Sequence, residues 1–341
     1  MGNKGISNKI SYLSFGMAML IVFYHWIDGN SNKLIFREFH NMTATLPLGY
    51  YFMISGYLLF YRMNSLEDLK QKIKRRVHSL LIPFLLWNLI IMILLTINNG
   101  KVPFSSMKEL GIRLSVQPFD GPLWYIFALI IYLPLSYFII VLKGKKIRAG
   151  IIFFAVLLVS YIVIYTDSVF LGRATWVERM LRYFPSYFWG GIVALNYGEI
   201  IAEDKLDNIK ICRLAKIFFL ISIWGSMAGV FNEGIMKEIN IFIQPVLLWL
   251  AFPGKIFPER KPKNISKVTF FIFATHEELI FPVIGRIKAI LGLAEVTTML
   301  TIVSESAVIS VLTVVIVIVV LTILDKFEWT RRIMIVLAGG R

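Results

Sequence analysis

The sequence is poor in cysteine, in charged residues and in long polar loops. Its single cysteine, Cys212, excludes an internal disulfide and a thiolate-bound metal cluster. Asp, Glu, Lys and Arg make up 17% of the 341 residues, whereas the ordinary soluble domain has about 25%. The loops leave no room for a second soluble domain. We therefore expect one domain over residues 1–341, and not one of the soluble globular class.

Apolar residues take the place of the missing charge. They form 57% of the chain, and the mean hydropathy is +0.71. Many lie in blocks of about 20 residues, the length that a helix needs to cross a bilayer. The sequence predicts an all-α, polytopic transmembrane helix bundle of about ten spans. The spans are expected near residues 10–28, 44–63, 78–97, 122–142, 149–166, 181–198, 214–231, 238–253, 267–285 and 301–324.

The positive charge of the chain has a topological explanation. The net charge is +15, which in a soluble protein would direct attention to nucleic acid. If the N-terminus is placed in the cytoplasm, most of the 36 Lys and Arg residues fall in the cytoplasmic segments. The pattern therefore predicts that both termini are cytoplasmic, and no nucleic-acid partner is expected. A separate expectation is that the chain is a multi-pass protein of the plasma or inner membrane, of bacterial type.

His25 lies near the outer end of the first apolar run. An ionisable residue inside a span is a functional candidate, because its desolvation is costly. Asp28 follows at i+3 and can share its helix face, where a carboxylate would fix the tautomer of the imidazole and raise its basicity. Such a pair is suited to general-base catalysis. The alternative is an interfacial histidine beside Trp26, with Asp28 ending the helix.

A second histidine, His276, lies near the middle of the ninth predicted span. Glu277 and Glu278 follow it directly, so three ionisable residues stand in a row within an apolar segment. At least one of them has to face the bundle interior or a wet cavity. The alternative is a packing histidine that is hydrogen-bonded to a neighbouring helix.

A basic segment precedes the third predicted span. Lys74, Arg75 and Arg76 crowd a short cytoplasmic connection. Arginine binds phosphate in bidentate fashion, so the segment is a candidate phosphate clamp. Topology and anionic lipid account for the same charges without any further function.

Two aromatic residues open the fourth predicted span. Trp124 and Tyr125 follow Gly121-Pro122 at the expected outer face. Their position is typical of an interfacial aromatic belt, and it would equally suit a platform on which a sugar ring stacks. Ser55-Gly56, in the second span, is interpreted as a site of close helix packing.

Several of these segments, in this order, resemble the acyltransferase-3 family of integral membrane acyltransferases. The similar stretches are YLSFGMAMLIVFYHW, YYFMISGYLLFYRM, KRRVHSLLIPFLLWN, GPLWYIFALIIYLPL, PSYFWGGIVAL and ISKVTFFIFATH. They extend from residue 12 to about residue 280. The length of the chain is similar to that of the shorter members, which modify surface polysaccharides with acetyl or succinyl groups.

The resemblance implies roles for the candidate residues. Acyl-coenzyme A, most simply acetyl-coenzyme A, would be the co-substrate, held at the inner face by Lys74, Arg75 and Arg76. His25 would deprotonate the acceptor hydroxyl or carry the acyl group, with Asp28 orienting it. A surface polysaccharide or lipid-linked sugar would be the acceptor.

The remaining site residues follow from the same resemblance. His276 would line the acyl passage, and Trp124, Tyr125 and Glu277 would contact the acceptor. No permanently bound cofactor and no metal ion are expected. The chain departs from the family at one position, because Ser14 stands where the family has an arginine that is separated from the histidine by ten residues.

A different class of function competes with the enzyme. Some proteins of this length are discussed as polysaccharide exporters or flippases without chemistry of their own. A transporter would favour inverted repeats and broken helices at the midplane, and neither is visible in the sequence. The prediction is therefore an acyltransferase, with the exporter as the alternative.

Overall fold

A computed structural model describes residues 2–30, 33–115, 117–170, 175–202, 208–231, 234–262, 264–292 and 299–340. It describes the side chains within 5–27, 45–115, 117–166, 177–198, 208–231, 234–262, 264–292 and 300–340. The described chain is helical and contains no strand. The helices are α1 (Gly2–Asn30), α2 (Lys33–Phe60), α3 (Leu66–Asn99), α4 (Met107–Arg113), α5 (Trp124–Ile140), α6 (Lys146–Phe170), α7 (Thr175–Ala202), α8 (Ile209–Met227), α9 (Gly234–Ala251), α10 (Ile265–Thr275), α11 (Phe281–Ile290), α12 (Met299–Leu324) and α13 (Glu328–Leu337).

The all-α prediction is confirmed, and every predicted span coincides with helix. Within the described residues, seven helices are long and apolar enough to cross a membrane. They comprise Gly5–Ile27, Leu66–Asn99, Gly121–Ile140, Lys146–Thr166, Gly234–Ala251, Ile265–Ile290 and Leu300–Leu324. A shorter apolar helix covers Thr45–Phe60. The protein is therefore a multi-pass membrane protein, while the count of ten spans and the cytoplasmic placement of both termini stay predictions.

Contacts within the chain define two compact units. The first unit comprises Met1–Met17, Arg37–Ile73 and Ile131–Pro262. The second unit comprises Ala18–Phe36, Lys74–Ile130 and Lys263–Arg341. A single functional domain over the whole chain stays a prediction.

The first unit packs helices in close pairs around aromatic rings. Helix α6 lies against α7, and α8 lies against α9. Phe52 stacks on Tyr183 with ring centroids 5.3 Å apart, and the Ser136 hydroxyl lies 2.8 Å from that of Tyr187. The predicted packing role of Ser55-Gly56 fits this unit, because a Cβ on Gly56 would overlap the backbone carbonyl of Tyr187.

The second unit holds its helices together by buried aromatic and ionic contacts. Trp26 meets Phe281 edge to face at 5.0 Å. Lys267 forms a 2.6 Å ion pair with Asp325. The C-terminal helix α13 is tied to α3 by a hydrogen bond, in which the Trp87 indole donates to the carbonyl of Leu337 at 3.2 Å. These contacts fix α1, α3, α10 and α12 as a frame for the polar groups described next.

Candidate active site

His25 and His276 meet in the second unit. His25 comes from α1 and His276 from the end of α10, and their ring centroids lie 5.1 Å apart. The side chain of His25 is one quarter exposed, whereas His276 is completely buried. The two histidines that the sequence marked as candidates are thus parts of one site.

The backbone fixes the ring of His276. Its Nδ1 lies 3.0 Å from the carbonyl oxygen of Ile272 and 2.9 Å from that of Phe273. Both of these oxygens accept hydrogen bonds, so Nδ1 carries the proton and Nε2 carries the lone pair. Nε2 is buried and has no hydrogen-bond partner among the described residues. His276 therefore presents a fixed acceptor nitrogen inside the bundle.

A turn of π-helix follows His276 and places two carboxylates. Residues His276–Ile280 form this turn between α10 and α11, and such single turns are frequent at functional sites. The turn brings Glu277 to His25, with 3.7 Å between Oε2 and the Nδ1 of the imidazole. Glu277, predicted as a contact of the acceptor, is therefore also the carboxylate beside His25.

A third carboxyl group lies against the same turn. Asp120 precedes the short 3-10 helix Gly121–Leu123 and is completely buried. Neither of its oxygens has a hydrogen-bond partner in the described parts of the chain. Burial, together with the negative charges of Glu277 and Glu278, raises the pKa of Asp120 well above the ordinary value for an aspartate. The site thus combines two imidazoles with three clustered carboxyl groups.

A hydrogen bond to Asn88 and a close approach at Gly121 position the loop that carries Asp120. The Asn88 side chain of α3 accepts a 2.9 Å hydrogen bond from the backbone N–H of Phe119 and is itself fully buried. On the other side, a Cβ on Gly121 would come within 3.0 Å of a Glu277 oxygen. A side chain at this position would require the carboxylate to shift by a few tenths of an ångström, so the glycine favours the close approach of the loop.

The predicted acceptor-contacting aromatics lie next to this loop. Trp124 and Tyr125 open α5 and are both partly exposed. Tyr125 packs edge to face on Phe273, at 5.8 Å between ring centroids. Because Phe273 lies one turn before His276 on α10, Tyr125 belongs to the wall of the site.

The predicted donor-binding cations lie toward the beginning of α3. Lys74 and Arg75 are exposed and Arg76 is partly exposed. None of the three makes an ion pair with another described side chain. They are therefore available to an anion. Asn88 lies thirteen residues after Arg75 on α3, a rise of about 20 Å, so the helix leads from this basic segment to the loop of Asp120.

Two predicted positions have different outcomes. Asp28 lies in α1, but its side chain is outside the described residues, so its predicted role in orienting His25 stays a prediction. Ser14, which stands in place of the family arginine, lies in the first unit, where its carbonyl accepts a 2.5 Å hydrogen bond from the Tyr51 hydroxyl. There it ties α1 to α2.

The same side chains form a donor set for a metal ion. One ligand atom from each of His25, His276 and Glu277 lies within 4.8 Å of the other two. The sequence-based expectation of no bound metal did not anticipate this convergence, because 251 residues separate the two histidines along the chain.

The structure is that of a membrane-embedded helical protein with a histidine–carboxylate site. Comparison with family models identifies the class. The acyltransferase-3 family, described as an acyltransferase domain, matches residues 11–324 of the chain. The chain belongs to this family and is an acyltransferase, as the sequence resemblance predicted. Comparison with curated proteins and with solved structures gives no match.

Two residues of the site could not be predicted from their own segments. Asp120 lies outside the candidate set because it is one polar residue before an apolar run, a pattern that normally marks a helix end. Asn88 lies outside it because it is one uncharged polar residue within an apolar run, a pattern that normally marks a packing contact. Asp120 could have been identified from its position, because it directly precedes the GPLW segment that the family resemblance includes.

Proposed function

We propose that the protein transfers an acyl group, acetyl or succinyl, from acyl-coenzyme A to a hydroxyl of a surface polysaccharide or lipid-linked sugar at the plasma or inner membrane. The observation that carries the proposal is the contact of His25 with Glu277 beside the fixed ring of His276. An imidazole whose Nδ1 faces a carboxylate has the arrangement of a general base. The family match supports acyl transfer as the reaction class.

The chemistry follows from this arrangement. Nε2 of His25 takes the proton of the acceptor hydroxyl while the hydroxyl oxygen attacks the thioester carbonyl carbon. The carbon–sulfur bond then breaks, and the thiolate of coenzyme A leaves with the proton that His25 returns. The products are the ester and the free thiol. Glu277 stabilises the imidazolium that exists between the two proton transfers, because its Oε2 lies 3.7 Å from Nδ1.

The donor reaches the site along α3. Lys74, Arg75 and Arg76 are suited to the phosphates of coenzyme A, because arginine offers a planar pair of donors to each phosphate. The thioester arm has to cover the rise of about 20 Å between Arg75 and the level of Asn88. His276 borders the end of this path. The acceptor sugar would then stack on Trp124 or Tyr125, whose partly exposed rings form the neighbouring wall.

The proposal is tested with His25→Ala in membranes supplied with labelled acetyl- or succinyl-coenzyme A, followed by mass analysis of the surface polymer. We expect transfer to fall by about 10²–10⁴-fold, the usual contribution of a general base. Arg332→Ala is the control, because Arg332 is an exposed residue of α13 that belongs to no part of the proposed site. It should keep normal transfer.

One outcome would reject the role of His25, and another would reject the function. Acyl groups that persist in His25→Ala would show that His25 is not the base. A polymer that carries no acyl group in the unaltered strain, and that accumulates inside the cell when the protein is deleted, would favour the exporter.

A further inference from the structure

Beyond acyl transfer, the residues around His25 have the composition of a transition-metal site. Two histidines and one glutamate supply a set of ligands that zinc takes in proteins, with a further position open to water or substrate. One ligand atom from each lies within 4.8 Å of the other two, and the His25–Glu277 pair is at 3.7 Å. In a tetrahedral zinc site with bonds of about 2.0–2.1 Å, neighbouring ligand atoms are about 3.3 Å apart. A small contraction of the three side chains would therefore close the site.

The hydrogen bonds of His276 prepare it to act as a ligand. Histidines that bind metals commonly donate their other ring N–H to a backbone carbonyl or a carboxylate, which fixes the tautomer and orients the ring. His276 does so through Nδ1 with two backbone carbonyls. Its Nε2 is completely buried and has no partner in the described part of the chain. A buried acceptor of this kind is costly unless something donates to it or binds it.

The charges around the site call for a cation. Asp120, Glu277 and Glu278 bring three carboxyl groups together, and Asp120 has no hydrogen-bond partner for either oxygen among the described residues. No described Lys or Arg forms an ion pair with Asp120 or Glu278. A bound dication would supply the missing positive charge to this cluster.

We propose that His25, His276 and Glu277 bind one divalent transition-metal ion of the Zn²⁺ class, and that a bound ion blocks acyl transfer. The inhibition by a bound ion rests on the proposed function, and it follows from the position of the ring proton of His25. With Nδ1 of His25 bound to metal, the remaining ring proton moves to Nε2. That nitrogen then cannot accept the proton of the acceptor hydroxyl, so binding of metal and catalysis by the base exclude each other.

Access and selectivity are consistent with reversible binding. The side chains of His25 and Glu277 are 25% and 36% exposed, so an ion can approach the site from their side, although the Oε2 of Glu277 is itself buried. The set of two imidazoles and one carboxylate favours Zn²⁺ over Mg²⁺ or Ca²⁺, which prefer oxygen ligands alone.

The test is titration of the purified, chelator-washed full chain in detergent with Zn²⁺, measured by calorimetry. We expect one saturable site per chain. His276→Gln should weaken Zn²⁺ binding by more than the 10–100-fold typical for loss of an outer partner of a ligand, whereas His78→Gln should bind as the unaltered protein does. No saturable site, or equal affinity in His276→Gln, would overturn the proposal.

Co²⁺ provides a second measurement on the unaltered protein, so the result does not depend on the folding of a variant. Binding through His25, His276 and Glu277 should give the intense visible absorption of tetrahedral Co²⁺. Weak absorption of the octahedral type would contradict a tetrahedral site at these residues.

Inhibition is measured separately from binding. Zn²⁺ should stop acyl transfer, and a chelator should restore it. Zn²⁺ that saturates the site while transfer continues would overturn the mutual exclusion. A protein that binds Zn²⁺ at these residues but has no transferase activity would instead reject the proposed function and leave the metal site in place.

Discussion

Clusters of ionisable groups occur in both units, but the cluster around Arg182 and the cluster around His276 are satisfied in opposite ways. In the first unit, Arg182 of α7 lies between two carboxylates. Its Nη2 is 2.6 Å from Glu178, and its Nε is 2.9 Å from Glu238 of α9. Each exposed fraction is between 10% and 26%. The guanidinium and both carboxylates thus find partners within the protein, and the triad joins two helices.

In the second unit, the groups around His276 keep capacity for something outside the protein, whereas Lys267 and Asp325 form a closed pair. His276 has a buried nitrogen, and Asp120 has two buried oxygens, with no hydrogen-bond partner in the described regions. Glu277 is held beside His25 at 3.7 Å, a distance that leaves room to tighten when the imidazole becomes charged. Natural proteins rarely leave such groups open except where they act on a ligand.

The contrast separates a structural charge cluster from a functional one. A charge cluster that closes on itself contributes to stability and specificity of packing, and removing one member leaves the others unpaired. A charge cluster with unsatisfied groups lowers the stability of the protein, but those groups remain able to bind a ligand or react with it. The two kinds should therefore respond differently to the same type of substitution.

The largest expected effect is on stability in the first unit. Arg182→Met keeps the length and apolar stem of the side chain but leaves the mostly buried carboxylates of Glu178 and Glu238, 26% and 10% exposed, without their cation. We expect the free energy of unfolding to fall by about 3–5 kcal/mol, measured by denaturant or thermal unfolding of the purified protein in detergent. Arg332→Met is the control, because its pair with Glu328 is an exposed i,i+4 contact. It should change stability by less than about 0.5 kcal/mol.

An equal response of the two variants would show that the triad is no more important than a surface pair. The claim that the Arg182 cluster has a structural role would then be wrong.

The second prediction compares two glutamates, one that should affect mainly activity and one that should affect mainly stability. Glu277→Gln removes the charge that stabilises the His25 imidazolium. It should lower acyl transfer by about 10–100-fold, which corresponds to about 1.5–3 kcal/mol for a hydrogen bond to a charged group, with little change in unfolding. Glu238→Gln should do the reverse, because Glu238 pairs with Arg182. We expect a lower unfolding temperature and a normal rate of transfer per folded molecule.

The measurement that checks this prediction is the rate of acyl transfer and the unfolding temperature of each of the two variants. If Glu277→Gln destabilises the protein as much as Glu238→Gln does, then Glu277 is a structural group and its contact with His25 carries no catalytic role.

The sequence was sufficient to predict the fold class and to single out the two histidines that lie together in the structure, for one physical reason. Apolar blocks of about 20 residues predict helices long enough to cross a membrane. An ionisable residue inside such a block is easily recognised in the sequence. His25, His276 and Glu277 were visible in this way. The family resemblance added the order of the segments, and the family match over residues 11–324 confirms it.

Tertiary contacts could not be predicted from the same patterns. The partner of His25 seemed to be Asp28, since i,i+3 spacing is the closest relation that a helix shows in sequence. The carboxylate that reaches it in the structure, Glu277, is 252 residues away, and a turn of π-helix sets its direction. Arg182 and Glu238 were equally invisible, because nothing local shows that α7 and α9 present opposite charges to each other.

The smallest expected effect tests the open cluster itself. Asp120→Asn keeps the shape of the side chain and removes a carboxyl group whose oxygens have no hydrogen-bond partner in the described chain. Since no favourable interaction is lost, the free energy of unfolding should fall by no more than about 0.5 kcal/mol, or should rise. The measurement is made with a chelator present, so that a bound cation does not contribute. A loss comparable to that of Arg182→Met would mean that Asp120 has a stabilising partner, and the cluster in the second unit would then be a closed one like the triad.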